Sequence, residues 1–150
     1  MNKDIPNGLR NTFIFHAAVG LVFGAALTFI PGRALTLLGW VPANVQLPQS
    51  ELSIPGQSFV DPVLIRLLGA TLLGVAYLSF RTWRIKACTW EQAMPVVQFE
   101  TVLCGLSIVA LLIGFFRLER AIPLIGWLVL LLYAAFFTAW GFFWRQGSRA

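Results

Sequence analysis

Charge is scarce in this sequence: Lys, Arg, Asp and Glu make up 11% of the residues, while 58% are hydrophobic and the mean hydropathy is +0.78. A water-soluble domain carries roughly 25% charged residues and roughly 45–50% apolar ones. The composition therefore excludes a soluble fold and calls for an integral membrane protein. Cysteine is nearly absent as well. Cys88 falls in a predicted loop and Cys104 well inside a predicted span, with no CxxC between them. That argues against a bridge and against dithiol redox chemistry, and both are read as free, inert thiols. Histidine occurs once, at His16, which rules out bis-histidine haem ligation within the chain.

Other absences narrow the function. There is no His/Cys/carboxylate cluster at metal-ligand spacing, no serine nucleophile motif and no glycine-rich phosphate loop. Glu100 stands alone among the predicted spans, without a second acidic residue. Interrupted helices and midplane polar groups, the marks of an ion transporter, are missing too. The expectation is a protein that is not an enzyme and that has no cofactor or metal of its own. The net charge of +5 invites a nucleic-acid reading, but the basic residues are scattered singly at helix ends, as membrane topology demands.

What the chain does have is long apolar runs, enough for one domain with four predicted spans at about 11–30, 63–80, 96–116 and 122–144. The last, from Ile122 to Trp144, holds no charged residue and ends in an aromatic cluster closed by Arg145. The first is read as a retained span, because its apolar run exceeds that of a signal peptide. Pro31-Gly32 stops it, and Arg33 to Val41 is too short to cross, which fits a brief helix lying in the interface. Pro42 to Ser58 is expected as an exposed loop. Asp61-Pro62 reads as a helix start, and Thr89 to Gln92 as a capping box for a short turn limited by Pro95. The short connection around Arg117 to Ala121 makes the last two spans antiparallel neighbours.

Small residues mark packing faces. Gly20 and Gly24 form a GxxxG in span one, and Ala70 and Gly74 a second strip in span two. Counting basic residues gives the topology. Lys3, Arg10, Arg81, Arg84, Lys86, Arg145 and Arg149 fall on one side, against Arg33, Arg117 and Arg120 on the other. The richer side, with both termini, is expected in the cytoplasm.

Polar groups inside a span are costly and so are candidate functional residues. His16 and Glu100 are expected at one level, roughly 6–8 Å below the cytoplasmic surface at about 1.5 Å per residue. Gln98 and Thr101 lie nearby as supporting hydrogen-bond groups. The pair can handle a proton or bind a ligand, or it can be a polar clasp between spans one and three. A third arrangement pairs Glu100 with Arg81 or Arg84. His16 can also be the axial ligand of a haem or chlorophyll-type pigment. Arg66, near the outer end of span two, can snorkel, pair with Asp61 or Glu119, or contact a lipid headgroup.

The run Pro31, Leu35, Leu38, Gly39 and the run Arg66 to Ala70, followed by two closing apolar spans, give the chain a likeness to a known group. The layout resembles the small four-helix bacterial membrane proteins of the DoxX-like or unknown-function type. That resemblance implies a four-helix architecture and a bacterial inner-membrane address, and it carries over no catalytic residues. The leading functional expectation is a non-catalytic accessory or structural subunit packing against a larger membrane complex, with lipids and other subunits as partners. The alternative is a small binding or transport module for a lipid, quinone or other apolar ligand at the His16/Glu100 level.

Overall fold

The structure, a computed structural model, describes residues 4–38, 62–117 and 124–149. It is all-α. Helices α1 (Asn7–Phe29), α3 (Pro62–Arg84), α4 (Trp90–Arg117) and α5 (Leu124–Gly147) are each long and apolar enough to cross a membrane, and α2 (Pro31–Leu37) is a short fifth helix. The chain is thus a multi-pass, four-helix membrane protein.

Local chemistry explains the boundaries. Proline disfavours the helical region for the residue before it. Ile30, just ahead of Pro31, accordingly leaves the helix at φ −130° and ψ 51°. It ends α1 through its N–H to Ala26 O (3.0 Å) and opens α2 through its own carbonyl, which accepts from Ala34 N (2.9 Å). At α4, the Thr89 N–H donates to Gln92 Oε1 at 3.3 Å, the back-reaching half of a capping box. Pro95 does not limit that helix as expected; α4 runs through it. A proline so near the start removes a single ladder bond, and the long apolar stretch behind it carries the helix on. Trp40, the loop from Pro42 to Ser58, Asp61, Glu119 and Arg120 lie outside the described residues.

The end of α3 is held from a distance. Arg10 of α1 donates from Nη1 to Lys86 O (2.8 Å) and from Nη2 to Trp83 O (3.2 Å). A guanidinium there satisfies carbonyls left over at the helix terminus and complements its negative dipole end. Beside it, Ile5 N donates to Cys88 O at 3.0 Å, an isolated bridge that lays the N-terminal segment along the α3–α4 turn.

Helix α1 lies along α3, and α4 lies along α5. In the first pair the backbones nearly touch. A Cβ built on Gly24 would stand 3.0 Å from Gly69 O, and one on Gly69 would stand 2.5 Å from both Thr28 N and Oγ1. Gly20 meets Ala76 in the same way, at 3.0 Å. The α3 side of this contact is Gly69, Leu72, Leu73 and Ala76, and the Ala70/Gly74 strip faces away from α1. Ala70 is exposed, and Gly74 has nothing within 4 Å of its Cβ position. One residue of slip turns a helix by about 100°, which carries that strip off the contact.

The interior is concentrated at one end of the molecule. Leu9, Phe13, Ala93, Val97 and Trp140 are wholly buried, with Ile5, Cys88 and Phe136 around them. Gly8 packs on Phe143, and Gly147 on Trp90 and Met94. The start of α1, the α3–α4 turn and the end of α5 thus share one end of the bundle. In the other half the pairs part company. Among the described residues, α4 buries only Phe115 beyond Cys104, and α5 only Gly126 before Phe136.

Candidate intramembrane polar site

The two helix pairs meet at a buried polar cluster. On α4, Val97, Glu100, Thr101 and Cys104 are buried, an i, i+3, i+4, i+7 face turned inward. Glu100 is 0% exposed. Its Oε1 accepts a hydrogen bond from Ser79 Oγ of α3 at 3.1 Å. Ser79 Oγ in turn lies 3.0 Å from His16 Nδ1 of α1. A serine has one proton to give; with that proton on the Glu100 bond, the matching tautomer is the one that carries its hydrogen on Nδ1. His16 Nδ1 also lies 3.6 Å from Glu100 Oε1, within ion-pair distance when the imidazole is protonated.

Helix α5 closes the cluster with aromatic rings. His16 meets Phe136 edge-on (4.7 Å between centroids, 83°) and Trp140 likewise (5.6 Å, 86°), while Trp140 packs on Phe13 at 5.0 Å. All four long helices contribute. An imidazole against aromatic edges, one serine and one carboxyl group make a small polar island in an apolar surround, where such contacts are worth more than in water. Two of its polar atoms have no partner among the described residues: Glu100 Oε2, an acceptor when ionised, and Trp140 Nε1, a donor. Buried atoms of this kind normally find partners, so each calls for an explanation.

Both α1 and α4 begin earlier than the spans read from the sequence. His16 is therefore about 14 Å, and Glu100 about 15 Å, along its helix from the first residue, at about 1.5 Å per residue. Of the two supporting groups, Thr101 is buried beside Glu100, but its hydroxyl donates to Val97 O of its own helix at 2.7 Å. Gln98 is exposed on another face of α4 and does not join the cluster. Arg81 and Arg84 are exposed, and the Glu100 contacts go to Ser79 and His16 instead. Arg66 is exposed on α3.

The His16 ring meets Phe136 and Trp140 edge-on, its side chain is 11% accessible, and Nδ1 is engaged by Ser79, so an axial bond to a haem or chlorophyll-type pigment would fall to Nε2.

Ser79 is not among the candidates read from the sequence, whereas Phe136 and Trp140 belong to the aromatic cluster of the last span. Ser79 had a signal available: it continues the Gly69, Leu72, Ala76 face at helical spacing. With Gly69 on the α1 contact, the same face turns Ser79 inward. No family model, no curated protein and no solved structure matches the chain.

Proposed function

We propose that the protein is a small membrane-embedded binding module for an amphiphile of the lipid or quinone class. Its uncharged, hydrogen-bonding head would meet the His16–Ser79–Glu100 level, and its apolar tail would lie between the two helix pairs. The observation that carries this reading is the buried acceptor Glu100 Oε2 and the buried donor Trp140 Nε1, both unbonded at the level where the pairs meet. The accessible edge of His16 is the point of approach, and the parting of the pairs beyond Cys104 and Phe136 supplies apolar walls. Recognition by a few convergent polar groups in an apolar surround is how such sites work in general. The test is thermal unfolding of the detergent-purified protein with and without a short-tailed benzoquinone. Wild type should be stabilised by several degrees, and Glu100→Gln should lose that gain. No shift in wild type would reject the reading.

A separate observation supports an accessory role in a larger membrane complex. Ala70 is exposed and Gly74 has open space above its backbone, so α3 offers a flat strip that another protein's helix can approach closely. Mild extraction from native membranes tests it, and a protein that runs only as a monomer or homo-oligomer removes it. Neither reading includes a covalent step. A cytoplasmic position for both termini is supported by Arg10, Arg81, Arg84, Lys86, Arg145 and Arg149 lying towards one end of the bundle, and a bacterial inner-membrane address by the resemblance of layout alone.

A further inference from the structure

The last turn of α5 carries a feature that the polar cluster does not use. Gly141, Trp144, Arg145, Ser148 and Arg149 line a surface depression of about 390 Å³. Gly141 contributes no side chain and so leaves the floor low. Trp144 is half-buried and forms one wall, and Arg145 and Arg149 are exposed. Arg145 lies in the last turn of α5 and Arg149 in the turn that follows it, and both border the same depression. Among the described residues neither has an acidic partner within ion-pair distance. The Ser148 hydroxyl is already donated to Trp144 O at 2.9 Å, so the donors left for a ligand are the guanidinium groups.

We propose that this depression binds the headgroup of an anionic phospholipid. Depth places it correctly. Helix α5 has 24 residues and is about 36 Å long, against a hydrocarbon core of about 30 Å, so its last turn reaches headgroup level. Electrostatics permits it. The C-terminal end of a helix carries about half a negative charge, which alone repels an anion, but two full positive charges outweigh it. Arg145 by itself would be explained as a complement to that dipole. The second arginine, the concave floor at Gly141 and the indole wall are what a phosphodiester with an attached acyl chain fits. One turn below Gly141, exposed Phe137 gives the chain an apolar path. A free phosphate would use the arginines and leave the lower half of the depression empty. The position also lies on the basic side of the molecule, with Arg81, Arg84 and Lys86, where anionic lipid is favoured.

The experiment measures thermal stability of the purified full chain in mixed micelles of phosphatidylglycerol, in phosphatidylcholine micelles, and in phosphatidylcholine micelles with inorganic phosphate at equal phosphorus. Phosphatidylglycerol should raise the unfolding temperature by several degrees, and the other two conditions should not. In a titration, each arginine removed should weaken the apparent affinity for phosphatidylglycerol about fivefold. The Arg145→Gln/Arg149→Gln variant should therefore lose nearly all of the gain, and Arg149→Gln, beyond the end of α5, should lose part of it should the double variant fail to fold. Arg81→Gln/Lys86→Gln, with the same loss of charge on the same side of the molecule but outside the depression, should keep it. The proposal is overturned by an equal gain from phosphate, by a gain that survives both Arg149 variants, or by equal loss in the Arg81/Lys86 variant.

Discussion

His16 and Glu100, on helices that do not lie along one another, approach to 3.6 Å where the two helix pairs meet, with the Ser79 hydroxyl bonded to both. The two helix pairs pack separately over most of their length, so this bridge and the aromatic rings around it do much of the work of joining them.

Removing the middle of the bridge should be costly. Ser79→Ala takes away the donor to Glu100 Oε1 and the acceptor for His16 and leaves a buried carboxyl group short of partners, a loss of about 1–3 kcal/mol. Reversible unfolding in detergent measures it. Ser79→Thr, which keeps a hydroxyl, should recover part of the loss; equal stability of wild type and Ser79→Ala would contradict the bridge.

The two glycine strips on α3 should behave oppositely. Gly69→Ala places a methyl group 2.5 Å from the Thr28 backbone nitrogen, so α1 and α3 must move apart, at a cost of about 1–3 kcal/mol. Gly74→Ala meets nothing within 4 Å and should be neutral or stabilising by about 0.5–1 kcal/mol through helix propensity. Comparing the two unfolding midpoints checks the register.

Arg10→Ala should loosen the end of α3, since two carbonyls lose a charged donor, and about 1–2 kcal/mol of stability should go with it. Arg10→Lys should restore only part, because an ammonium cannot reproduce a planar fork reaching Lys86 O and Trp83 O together. Full rescue by lysine would show that charge alone matters there.

Cys88, in the turn between α3 and α4, should react slowly with maleimide in the native protein at neutral pH. Burial pushes its thiol above the ordinary value, Arg10 opposes that, and Asp4 adds to it. Labelling should accelerate as pH rises past the usual thiol range. The sign for stability follows: the unfolded chain releases this proton first, so folding weakens as pH climbs above the ordinary thiol value, with no contribution below it. Native labelling as fast as that of a free thiol at neutral pH would contradict the burial.

Much of the fold is legible in the residues because lipid imposes a simple rule: each crossing must be long, apolar and helical. The meeting of His16 and Glu100 could be approached by counting residues from the helix ends, since depth is nearly one-dimensional. Direction around the helix is not. Gln98 shares Glu100's depth but stands about 200° away around α4, and so it faces outward. The same angular uncertainty hid the Gly69 face that packs on α1, and with it Ser79, which that register turns inward. The role of Arg10 was out of reach for another reason: its carbonyl partners are 73 and 76 residues away in the chain, and only tertiary structure brings them together.

The most direct measurement is a double-mutant cycle on His16 and Glu100, with His16→Ala, Glu100→Ala and the combined variant unfolded reversibly in the same detergent. A buried pair joined through Ser79 predicts that the two losses do not add, with an interaction energy of about 1 kcal/mol or more. Losses that sum within about 0.3 kcal/mol would mean the two groups are energetically independent, and the polar bridge between the helix pairs would have to be given up.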